Sequence, residues 1–166
     1  MANKIKICAL INIAIVFIID YFSKQIVLAN MVYNKSYPIF KVLTTQLNFG
    51  FDLYLTYNRG TAFSLIKFAT GNTKLLLIIG SIIISLVLLG WLYKEDVKNK
   101  ATIIAISCIL GGALGNIYDR ISFGYVVDFF DVYAGKYHWP IFNVADISIS
   151  IGVCLLVWQL LFTRTD

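Results

Sequence analysis

Between Leu75 and Tyr93 the chain reads LLLIIGSIIISLVLLGWLY, with no charged residue. Roughly 20 helical residues, at about 1.5 Å each, cross a hydrocarbon core about 30 Å thick, so this run is suited to span a bilayer. Three more stretches match it in length, at approximately 5–28, 101–118 and 141–162, beside the first at 74–93. Asp20 and Lys24 interrupt one of them, and Asn143 and Asp146 another. A charge inside a span is costly, so function is sought at such interruptions. The composition agrees, because 59% hydrophobic and 14% charged residues in a chain of 166 leave more apolar surface than a water-soluble fold of this size can hide.

The expected fold is an all-α membrane protein: four transmembrane helices, with a small β-sheet on the outer face, in a single domain covering residues 1–166. The first apolar stretch follows Lys4 and Lys6 as a signal peptide would, but it ends in Asp20-Tyr21-Phe22-Ser23-Lys24, without the small residues of a cleavage site, and is expected to stay as a helix. Lysine and arginine concentrate in 1–6, 94–100 and 163–166, as Lys4, Lys6, Lys94, Lys98, Lys100 and Arg164. That density places these stretches, and both termini, on the cytoplasmic side. The segments 29–73 and 119–140 then share the outer face. In the first of them FDLYLTYN (51–58) alternates Phe51, Leu53, Leu55 and Tyr57 with Asp52, Tyr54, Thr56 and Asn58, a strand pattern. The sheet is therefore expected within 29–73, with Tyr33, Tyr37, Pro38, Phe40 and Phe49 suited to the headgroup layer.

The net charge of +5 does not indicate nucleic acid, since the basic residues flank apolar runs instead of forming one basic patch. Cys8, Cys108 and Cys154 each sit in an apolar run, as small packing residues. A single histidine, His138, and no paired-Cys or His-Glu-x-x-His spacing leave neither a metal site nor a cofactor to expect.

The acids carry the chemistry. Asp20 and Lys24 have the four-residue spacing and order of a helical ion pair, structural or functional. Asp119 and Arg120 are adjacent and cannot face each other on a helix, so Asp119 anchors the following loop and Arg120 is free for another carboxylate. Asp128, in GYVVDFF, lies in an apolar connection where a solvated acid is out of place; a turn-forming Asp is the plainer reading. Asp131 reads as a wetted loop residue. Asp146 lies about one turn into the fourth helix, after Pro140, Phe142 and Asn143, where a helix-packing polar group is the plainer reading. The glycines of GGALG (111–115) permit close helix approach. With the third and fourth helices adjacent, Asp128 and Asp146 meet at one face. Two carboxylates in one low-dielectric site split their titration into an acid and a base, the minimum for activating water against a peptide bond.

Several blocks now carry a resemblance: Asp20-x-x-x-Lys24, Asn58-Arg59-Gly60-Thr61-Ala62-Phe63, GGALGNIYDR with GYVVDF at 111–129, and PIFNVAD at 140–146. Together they resemble the lipoprotein signal peptidase (signal peptidase II) family of bacterial membrane aspartyl proteases, apart from Tyr21, where that family commonly has Gln. The resemblance implies removal of the signal peptide from diacylglyceryl-modified prolipoproteins, on the amino side of the lipidated cysteine. It also implies a catalytic pair at Asp128 and Asp146, with Asn58, Gly60, Asn116, Arg120 and Asn143 as supporting or substrate-binding residues. Partners are then the lipidated substrates and membrane lipids, for a monomer in the bacterial inner membrane. Two rival readings are a small proton-coupled transporter, which intramembrane acids would also suit, and a non-catalytic assembly factor whose polar residues join helices.

Overall fold

The computed structural model describes residues 2–43, 48–60 and 73–162. Among these residues four helices, α1 (Ala2–Asn30), α2 (Thr73–Lys94), α3 (Lys100–Ser122) and α4 (Val144–Phe162), enclose four strands in chain order. The strands are β1 (Ser36–Leu43), β2 (Asn48–Asn58), β3 (Val126–Ala134) and β4 (Tyr137–His138), in one antiparallel sheet of order β1-β2-β3-β4. Thr61, Ala62, Phe63 and Arg164 lie outside the described residues.

α3 is the centre of the bundle and packs against α1, α2 and α4. Its sequence explains the position. Small residues let the neighbours approach: a Cβ at Gly112 would run into the carbonyl oxygen of Ala145, and one at Gly152 would lie 2.6 Å from the carbonyl oxygen of Ala105. The backbones of α3 and α4 therefore touch, as small-residue helix interfaces do. α1 and α2 keep most of their apolar surface outward, suited to lipid. By length and composition α1, α2 and α3 can each cross a membrane, while the apolar part of α4, Val144–Gln159, is shorter.

Gly112→Ala should therefore push α4 off α3 at the turn that carries Asp146. Overpacking of this kind costs about 1–3 kcal/mol, and a lower thermal unfolding temperature in detergent, with loss of activity, would show it. An unchanged unfolding temperature would mean that the helices can part without cost.

The sheet extends beyond its expected place. Two of its four strands come from 126–138, and Asp128, read as lying in a connection, is on β3 opposite Thr56. β3 shows no alternation because Val126, Val127, Asp128 and Phe129 are all buried. The alternation along β2 is interrupted too, by a bulge between Leu53 and Thr56, so that both Asp52 and Leu55 are buried. Val27 of α1 joins Leu55, Val127 and Phe129 in one apolar cluster, which seats the sheet at the end of the bundle where α1 and α3 finish and α4 begins. The opposite end is basic: Lys6 Nζ donates to the Tyr93 carbonyl oxygen, bringing the first turns of α1 beside the last of α2.

The fourth helix begins at Val144, not near 141, because Phe142 is still extended and bridges Phe130. Cys8 and Cys154 are exposed on the helix surface and Cys108 is half-buried, so only Cys108 has the packing expected of all three.

A carboxylate pair built on a helix cap

Asn143 is the residue before α4, and its side chain does the work of an N-cap. Its Oδ1 accepts the backbone N–H of Asp146 at 3.0 Å, and Asp146 Oδ2 accepts the backbone N–H of Asn143 at 3.3 Å. This reciprocal arrangement is a capping box, with Asp where Glu or Gln is usual. It locks the Asp146 side chain over the first turn, where the helix dipole favours a negative charge. Asp146 Oδ1 is also bonded by Asn116 Nδ2 at 2.8 Å.

The second carboxylate hangs from the same cap. Asn143 Nδ2 donates to Asp128 Oδ1 at 2.6 Å, the shortest of its contacts, and Asn58 Nδ2 donates to Asp128 Oδ2 at 2.9 Å. Asn58 is placed by its cross-strand position on β2, and its Oδ1 accepts the N–H of Gly60, whose φ of +101° makes a turn that residues with a Cβ rarely adopt. Asp128 is only 2% exposed, while Asp146 is half-buried. Burial, and then the charge of Asp146, pushes the Asp128 carboxyl up from 3.8 to about 7.

Beneath the pair lies a buried ionic knot. Lys24, 1% exposed, reaches Asp20 at 2.7 Å and Asp119 at 2.9 Å. It also donates to Asn116 Oδ1 at 3.2 Å, which aims the amide nitrogen of Asn116 at Asp146. Asp20 Oδ1 accepts the N–H of Ala145 at 2.8 Å, and Asp119 Oδ2 accepts the N–H of Val127 at 3.0 Å. The expected Asp20–Lys24 pair and the loop-anchoring Asp119 are thus both present. Sequence reasoning missed that one lysine joins them, because nothing in the local spacing links Lys24 to Asp119.

Arg120, on the last turn of α3, lines a cleft of about 800 Å³ together with Asp128 and Asp146. Trp139, Pro140 and Phe142 form one wall, and Ile147 and Ile151 continue it down α4. One guanidinium nitrogen donates to the Asn116 carbonyl oxygen at 3.3 Å, and among the described residues the buried Nε has no partner. The structure thus gathers Asp128, Asp146, Asn58, Gly60, Asn116, Arg120 and Asn143 at one place, with Asp20 and Lys24 behind them.

Asp131 is the exception to expectation. It is buried at 5% exposure on β3, with both oxygens 2.9 Å from His138 Nδ1, instead of standing in water. The β3–β4 hairpin brings the ring onto it, which the sequence alone does not display.

Apolar helices with two carboxylates, one buried and one half-buried, at a cleft at one end suit a protein embedded in a membrane. A solved bacterial membrane enzyme shares the fold, with a TM-score of 0.75 and 33% identity, covering 95% of this chain and 94% of that one. A second has a TM-score of 0.75 at 28% identity, covering 96% and 93%. The chain belongs to the signal peptidase (SPase) II family, which matches residues 12–162. It is 38% identical over 144 residues to the lipoprotein signal peptidase of Alteromonas mediterranea, covering 87% of this chain and 75% of that protein. With the lipoprotein signal peptidase of Francisella tularensis subsp. novicida it shares 43% identity over 115 residues, covering 69% and 71%.

Proposed function

We propose that this membrane peptidase removes the signal peptide from diacylglyceryl-modified prolipoproteins, cleaving on the amino side of the lipidated cysteine with Asp128 and Asp146 as its catalytic pair. Family membership supports the substrate, and one observation carries the chemistry: Asn143 holds both carboxylates at the cleft, Asp128 by its side-chain amide and Asp146 by its backbone N–H, in unequal surroundings. Asp128, buried and raised to about 7, holds the proton and polarises the scissile carbonyl; Asp146, half-buried on its helix cap, takes a proton from the attacking water. Asp128 then passes its proton to the leaving amine. The partnerless Nε of Arg120 is suited to a substrate carbonyl oxygen.

The direct test is purified chain acting on a diacylglyceryl-prolipoprotein, beside the same protein unmodified. Release of signal peptide from the lipidated form is expected, and no release from either would end this reading. The transporter reading finds no support in the comparisons, and the assembly-factor reading requires that Asp128→Asn be tolerated.

Arg120→Lys should insert normally yet lose most of its turnover, because a point charge replaces a fork that holds the Asn116 carbonyl oxygen with one nitrogen and leaves Nε for the substrate. Wild-type kcat in that variant would remove Arg120 from the site.

The same reading takes the chain as one domain crossing the bilayer four times, with the sheet and cleft on the outer face and the basic end inside. A cysteine near Asn34 should then react with an impermeant thiol reagent on intact cells, and one within 94–100 should not; the opposite labelling inverts the protein.

A further inference from the structure

We propose that the basic end of the bundle, remote from the cleft, holds one anionic phospholipid, with an acyl chain in the groove between α1 and α2 and its phosphate on Lys6. α1 and α2 both pack on α3, where Ala9 and Leu92 share one apolar cluster with Ile103, Ile106 and Leu110. Outward of that contact a groove of about 550 Å³ stays open between Leu10, Leu86, Leu89 and Tyr93. Gly90 lines it, and a Cβ there would meet no atom within 4 Å, so the open space is real room and not a gap already filled by a neighbour.

Lys6 stands at the groove. Its ammonium donates to the Tyr93 carbonyl oxygen and sits 4.8 Å from the centre of the Tyr93 ring. An ammonium has three donors, so two remain for an oxygen anion. Apolar walls with a cation at one end match a hydrocarbon chain with a phosphate at its head. An inorganic anion would leave the walls uncovered. The surrounding charge selects an anionic headgroup over a zwitterionic one: Lys94, Lys98 and Lys100 outnumber Glu95 and Asp96 in the adjoining loop. A smaller groove of about 240 Å³ on the other flank of α1 also borders a lysine, Lys100, so the pattern recurs at this end.

The full chain, purified in mild detergent, is titrated with phosphatidylglycerol and, separately, with phosphatidylcholine of the same chains, and bound lipid is counted by native mass spectrometry. Phosphatidylglycerol is expected to be retained in preference. One lysine near an anionic headgroup is worth about fivefold in affinity, so Lys6→Gln should weaken phosphatidylglycerol by that factor and leave phosphatidylcholine unchanged. Lys6→Arg should keep it, whereas Lys98→Gln, which removes a loop charge outside the groove, should weaken it less than Lys6→Gln does. Gly90→Phe, whose Cβ would meet no atom within 4 Å, puts a ring at the groove and should abolish retention of the lipid even where Lys6 is intact. Equal retention of both lipids, retention unaffected by Gly90→Phe, or a second copy of the chain bound in place of lipid would each overturn the proposal. The measurement involves no turnover, so it stands apart from the peptidase reading.

Discussion

Asp146→Asn and Asp128→Asn, each inserted at normal levels, should each lose about 100-fold to 10,000-fold in cleavage rate, the usual worth of a positioned acid or base. The amide nearly preserves shape and keeps one acceptor oxygen for Asn58 or Asn143 at position 128 and for Asn116 or Asn143 at 146, at the loss of one bond each, so folding should survive. Because the two groups act as a unit, the double variant should be scarcely worse than either single one. The wild-type rate should rise and fall with pH, its two limbs belonging to the pair as a whole, and the residual activity of the variants should lack that bell. A stability effect accompanies it. The folded Asp128 titrates near 7 against 3.8 for a free carboxyl, so between these values the folded chain holds the extra proton. Stability is then lost as pH rises through that window, by about 1.4 kcal/mol per pH unit at most, and Asp128→Asn should flatten the slope. Near wild-type cleavage by either single variant would dismiss the aspartyl mechanism. Asp131→Asn, by contrast, is a stability variant, since Asp131 is buried against His138.

Lys24→Met is expected to be the most destabilising change outside the pair. It leaves Asp20 and Asp119 facing each other's charge without the ammonium that now lies 2.7 Å and 2.9 Å from them. Breaking a buried ion pair from one side costs about 3–5 kcal/mol, comparable with the whole margin of many proteins. Little folded protein should accumulate, and what does should unfold at much lower temperature in detergent. Adding Asp119→Asn, which relieves one of the stranded charges, should recover part of the loss. A Lys24→Met protein as stable as the wild type would show that water reaches this knot and solvates it.

Some of this was legible in the residues and some was not. The helices α1 to α3 were, because an apolar run long enough to cross a bilayer, unbroken in α2 and interrupted in α1 only by Asp20 and Lys24, has few other uses. Asp128 and Asp146 stood out against apolar neighbours. The strand around them did not: with both faces covered, Val126 to Phe129 carry no period-two signal. On β2 the period exists but the bulge after Leu53 breaks it. Asp131 was misplaced because its partner lies across a hairpin, and Lys24 was half understood because Asp119 is local to it only in space. Pattern along the chain reports which face is greasy; it does not report which distant charge will be buried beside another.

The bond from Asp20 to the N–H of Ala145 spans 125 positions of sequence. Everything the carboxylate pair needs from the first helix therefore waits on the fourth, and Asn143, which holds both acids, is made among the last residues. A nascent chain with three helices already in the bilayer has the lysine knot unfinished and no pair at all. At about 5–20 residues per second of synthesis, that interval lasts seconds. On the proposed mechanism the growing chain cannot cleave any substrate until that interval ends.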